Sequence, residues 1–128
     1  MGAALRQTGA AQATVHAGAA RTRRNGDITV PIYVQSAAPF QALDLRLRID
    51  PTATFVSATA RGAAAGALTS AQATDGTLAV SLASADPIEG GHGAIVWLRF
   101  RGAQPSITLD GALVDEQPAR VVTHRRAH

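Results

Sequence analysis

Two carboxylates and three histidines are the first residues of this chain that invite chemistry. In "ADPIEGGHG" (85–93), Asp86, Glu89 and His92 fall at i, i+3 and i+6 of one stretch, and His16 and His124 could join them. A metal centre needs ligands that converge at fixed distances, and this spacing matches no zinc or calcium ligand pattern. Ser81 and Ser84 are the hydroxyls that invite a nucleophile, but neither sits in a nucleophile elbow or near a His-Asp constellation. No glycine-rich loop opens a helix to cradle phosphate. "DGTLAVSLASAD" (75–86) lacks the alternating acidic ligands of a calcium-binding loop. The chain reads as non-enzymatic, with no cofactor and no metal.

Other residues suit recognition. "AIVWLRFR" (94–101) alternates, with Ala94, Val96, Leu98 and Phe100 on one side and Ile95, Trp97, Arg99 and Arg101 on the other. Trp97, the single tryptophan, falls out of phase with the apolar set and is flanked by Ile95 and Arg99. Tryptophan and arginine are enriched among the anchors of protein interfaces. "LDLRLRIDP" (43–51) segregates more cleanly still: Leu43, Leu45, Leu47 and Ile49 on one face, Asp44, Arg46, Arg48 and Asp50 on the other. If the two segments are neighbours, cross-strand Arg–Asp bridges and an Arg–Trp stack become possible.

Such residues need strands to hold them. The period of both segments is two, not 3.6, so each is a strand with one face buried. "GDITVPIYV" (26–34) alternates too, though Pro31 cannot donate to a ladder and belongs on an edge or at a bulge. Further strands are expected at 13–18, 54–60, 67–73, 106–115 and 119–124, and in 75–86 after an opening turn at Asp75-Gly76, with another turn at Asn25-Gly26 and loops at 36–40 and 87–93. The glycines of "RGAAAGALTS" (61–70) oppose the helix its alanines favour. No convincing helix remains. The fold class is therefore an all-β, two-sheet, jelly-roll-like sandwich of about nine strands, or a barrel of similar size.

Composition bounds the rest. A chain of 128 residues with 46 % hydrophobic residues makes one domain with a real core, although much of that fraction is alanine. Cysteine is absent, which removes disulfides and thiolate metal sites. All twelve basic residues are arginine and the net charge is only +3, spread along the chain apart from "RTRR" (21–24) and "HRR" (124–126). Scarce aromatics leave no stacking platform for nucleic acid. No apolar run is long enough to span a membrane. Residues 1–12 read as a linker remnant behind a start methionine, 13–124 as the domain and 125–128 as a tail, as expected of a piece of a longer chain.

Three of these stretches, in this order and spacing, resemble cohesin modules. "GDITVPIYV" is similar to their second strand, "LRLRIDP" to a strand that ends in Tyr-Asp-Pro, with Ile49 in place of the tyrosine, and "GGHGAIVWLRFR" to a Gly-rich strand near the end. The resemblance covers about residues 13–124. It implies a jelly-roll sandwich in which Pro31 lies in an irregular strand. It also implies a non-catalytic module that binds dockerins, helical partners that carry the calcium themselves, in extracellular, cell-surface or periplasmic assemblies. The binding face of that family is built from its third, fifth, sixth and eighth strands, which here would fall near 42–50, 67–73, 77–84 and 94–101. Asp44 matches an acidic dockerin-contacting position, and Ala42 stands where asparagine is common. The expected partner-binding set is Asp44, Arg46, Arg48, Ser81, Ile95, Trp97 and Arg99. A carbohydrate-binding sandwich is the alternative, although the resemblance places its two aromatics, Trp97 and Tyr33, on opposite sheets. A structural module of a secretion or surface apparatus is the other.

Overall fold

The computed structural model describes residues 13–50, 53–91, 93–102 and 107–123. Eleven strands run through them: β1 (Ala13–Ala17), β2 (Arg21–Thr22), β3 (Ile28–Ser36), β4 (Phe40–Ile49), β5 (Thr54–Ala60), β6 (Leu68–Thr74), β7 (Thr77–Ile88), β8 (Val96–Arg101), β9 (Ile107–Val114), β10 (Gln117–Pro118) and β11 (Arg120–Thr123). One 3-10 turn, Gly62–Ala64, is the single helical element among the described residues. The expected nine strands become eleven because two of two residues each, β2 and β10, extend longer neighbours. Pro87 and Ile88, expected in a loop, belong to the end of β7.

The strands form two sheets. One has the order β11-β1-β3-β8-β5, with β2 also paired to β3; the other has the order β10-β9-β4-β7-β6. The inward faces of both alternate as a sandwich requires. Val15, Ile32, Leu43, Leu47, Leu78, Val96, Leu98 and Phe100 are completely buried between them. Phe55 of β5 packs edge-on against Phe100, ring centroids 5.6 Å apart. Full burial of such side chains is worth about 1.5–3 kcal/mol each, so the alternating faces of β3, β4, β7 and β8 hold the sandwich together.

Pro31 finds its place at an interruption. β1 pairs with β3 as far as Ala17↔Ile32, and β2 resumes at Arg21↔Thr29. The intervening chain loops out opposite Pro31, and Gly18 N–H donates to its carbonyl at 2.9 Å. A Cβ on Gly18 would lie 2.9 Å from the proline ring, so only glycine lets the chain pass this close. On the other side Pro31 pairs with Trp97 of β8.

Two hairpin turns carry positive φ. Asp75-Gly76 joins β6 to β7 with φ of 43° and 85°, the type I′ geometry that Asp-Gly favours. Asp115-Glu116 joins β9 to β10 with φ of 49° and 66° and no glycine. The Asp115 carboxylate compensates by accepting the backbone N–H groups of Gln41 and Ala42 at 2.8 and 2.9 Å, where the β4–β7 register slips.

Candidate functional site

The outer face of the five-stranded sheet is a set of rows across four strands. Leu113 (β9), Asp44 (β4), Ser81 (β7) and Ser70 (β6) make one; Gly111, Arg46, Ala79 and Gln72 the next; Thr108, Arg48, Thr77 and Thr74 the third. On β4, β7 and β9 they lie outward because neighbours along the strand, such as Leu43, Leu45, Leu78, Val80 and Ala112, are buried; those of β6 follow by their pairing with β7. Short side chains interrupt this face, Ala79 and Ser81 on β7 and Gly111 on β9, on either side of the longer ones of β4. A shallow trough of about 670 Å³ runs over it, lined by Asp44, Arg46, Ala79, Ser81, Gly111 and Leu113 among others.

The polar groups there are ordered locally and still available. Ser81 donates its hydroxyl to Asp44 Oδ1 at 2.7 Å, which orients a carboxylate that keeps its remaining lone pairs free. Arg48 lies 3.7 Å from Asp110 Oδ1, with side chains 74 % and 46 % exposed. A pair so exposed contributes little stability, so both charges can be redirected toward a partner at small cost. Arg46 is exposed and has no ion pair among the described residues. Leu68, 79 % exposed on β6, and Leu113, 38 % exposed on β9, put apolar surface near the two margins.

The structure separates the expected site into two. Asp44, Arg46, Arg48 and Ser81 share the face just described. Trp97 and Arg99 belong to β8, which lies between β3 and β5 in the other sheet. No Arg–Trp stack or Arg–Asp bridge can therefore span the two groups. The strand that completes the face is β9, not the segment 94–101. Ile95 is only 1 % exposed and cannot supply apolar surface to a partner. It precedes β8, its N–H donates to Ile32 O at 2.9 Å, and its side chain joins Val96 in the core. Two consecutive buried residues break the alternation that had placed it outward. Tyr33 and Trp97 prove to share a sheet: Pro31 pairs with Trp97, and Tyr33, two residues along β3, points to the same side.

Leu113, Gly111 and Asp110 are among the residues of the face that the expected set lacks. Leu113 lies between buried Ala112 and Val114, so alternation alone could have found it. Gly111 and Asp110 owe their positions to a register shift between β4 and β9 at Arg46/Leu47, which no local pattern announces. Of the residues that invited metal chemistry, Asp86 and Glu89 are exposed; His92 and His124 lie outside the described residues. No group of three or more acidic, histidine or cysteine side chains among the described residues could hold a metal.

Comparison with known proteins places this architecture. No protein-family model matches the sequence, and no curated protein matches it. Solved structures do match. A non-cellulosomal cohesin from the hyperthermophilic archaeon Archaeoglobus fulgidus superposes with a TM-score of 0.68 at 22 % identity, covering 88 % of this chain and 86 % of its own. The OlpA cohesin–dockerin complex from Clostridium thermocellum gives 0.65 at 11 % identity, over 88 % and 99 %. The cohesin CaCohA2 from Clostridium acetobutylicum gives 0.65 at 14 %, over 87 % and 86 %. The chain has the cohesin fold, an all-β sandwich of two sheets.

Proposed function

We propose that this module of cohesin fold is a non-catalytic protein-recognition domain that docks a helical, dockerin-type partner on the outer face of its five-stranded sheet. The observation that carries the reading is the shape of that face. It is open, floored by Ala79 and Ser81 of β7 with Gly111 of β9 beside Arg46, and bordered by Leu68 and Leu113. A shallow floor of short side chains leaves room for a helix to lay its own side chains against the sheet. Several of the similar structures were solved as cohesin–dockerin complexes, which supports the same class of partner here. Asp44, Arg46 and Arg48 set orientation, since charges on an interface contribute specificity and association rate more than affinity. Leu68 and Leu113 supply apolar area. The partner brings its own calcium, and the assembly works outside the cytoplasm as part of a longer exported chain.

Gly111 provides the sharpest test. A Cβ built there meets nothing within 4 Å, so Gly111→Gln projects into the trough without disturbing the sheet. Immobilised wild-type protein should retain, in calcium, a secreted or envelope protein that EDTA releases. Gly111→Gln should lose it at least tenfold while its Tm stays within about 2 °C of wild type, and Asp44→Ala should weaken it with an equally small change. Undiminished capture by Gly111→Gln would move the interface off this face.

A further inference from the structure

The opposite sheet carries a second, differently built site. Over the outer face of β3, β5 and β8 lies a pocket of about 190 Å³ lined by Arg23, Thr29, Ser57, Thr59, Arg61, Trp97 and Arg99. Three arginines line this small space and no acidic residue does. Arg99 has a counter-charge in Asp27, 3.5 Å away, whereas Arg23 and Arg61 have no ion pair among the described residues. Like charges gathered so closely are unfavourable unless an anion joins them.

Thr29 supplies the second observation. It is 6 % exposed, the one buried residue of the lining and therefore its floor. Its side chain points away from the core, because Ile28 and Val30 on either side point into it. Yet Thr29 Oγ1 finds no hydrogen-bond partner among the described residues. A buried hydroxyl without a partner destabilises the protein that carries it, and this one belongs to the floor of a pocket ringed by arginines. Trp97 adds a half-buried aromatic wall, and Ser57 and Thr59 add two more hydroxyls.

We propose that this pocket binds an acidic sugar unit, its anionic group held by Arg23, Arg61 and Arg99 and its ring laid against Trp97. Guanidinium groups give paired, charge-assisted hydrogen bonds to carboxylate or sulfate. The three hydroxyls match a polyhydroxylated ring, and the indole matches its apolar side. The pocket is on the sheet opposite the docking face, so it stands or falls independently of the docking proposal.

Trp97 is the only tryptophan in the chain, so intrinsic fluorescence reports directly on the site. Titration with glucuronate should change the emission saturably, with a dissociation constant of about 1 mM, as the ligand efficiency of so small a molecule dictates. Arg61→Ala should weaken it about tenfold or more, the loss of one charged hydrogen-bonding group. Thr29→Val, which removes the orphan hydroxyl at nearly constant shape, should weaken binding several-fold while raising Tm by about 2–4 °C. That opposite movement of binding and stability is what a purely structural threonine would not show. Glucose at the same concentrations should leave the emission unchanged. An equal response to acetate or sulfate would overturn the sugar assignment, and no saturable response to glucuronate would overturn the site.

Discussion

Asp27 shows how much one carboxylate can organise. Its side chain is 6 % exposed and meets Arg101 Nε at 3.3 Å and Arg99 Nε at 3.5 Å, two arginines on the outward side of β8. Asn25 donates its side-chain amide to the same carboxylate at 3.3 Å and accepts the Asp27 N–H at 3.0 Å, closing the turn into β3. This carboxylate stabilises chiefly by closing the turn with Asn25 and by accepting charge-assisted contacts from two arginines. Asp27→Ala should therefore cost about 1–3 kcal/mol of unfolding free energy, measured by urea denaturation; a loss below about 0.5 kcal/mol would mean the turn holds without it. In the sequence Asp27 is merely half of a Gly-Asp turn. Its partner Arg101 lies 74 residues away, and nothing local marks such a pairing. Asp44 was legible by contrast, because its outward position follows from the leucines on either side.

At the scale of the elements, alternation located nearly every strand and failed where a strand begins or shifts. Ile95 was assigned outward by extending the β8 pattern one step too far, into the residue that crosses into the sheet. Turns divide in the same way. Asp75-Gly76 declares itself, because glycine accepts positive φ freely. Asp115-Glu116 does not, because glutamate disfavours that region, and the contacts of the Asp115 side chain help to hold the hairpin. Asp115→Ala should remove two backbone acceptor contacts and leave the positive φ unsupported. A loss of about 1–3 kcal/mol is expected in thermal or chemical denaturation, with faster hydrogen exchange at Gln41 and Ala42. Exchange unchanged at those two amides would show that the carboxylate does not hold them.

For the molecule as a whole, the class of fold was readable because period-two patterns without helices leave few architectures. Which strands share a sheet was not, since sheet partnership depends on strands far apart in the chain. That is why Trp97 and Asp44, both read correctly as outward-facing, were joined into one surface when the core in fact lies between them. The separation has a measurable result: a pocket filled with glucuronate should leave docking on the other face unchanged within about 0.5 kcal/mol, as for sites that share no contacts. Titrating the partner with and without the sugar checks it, and a larger shift would mean the sheets communicate through the core. One pairing remains, that of β1 with β11, parallel from Thr14↔Arg120 to Ala17↔Thr123. It couples the first described strand to the last. As the chain leaves the ribosome, β1 must wait with an unpaired edge until β11 has been made, so this sheet closes only after nearly the whole domain has been synthesised. Contacts of such range slow folding, and the interval is when β1 is most open to pairing with a strand of another molecule.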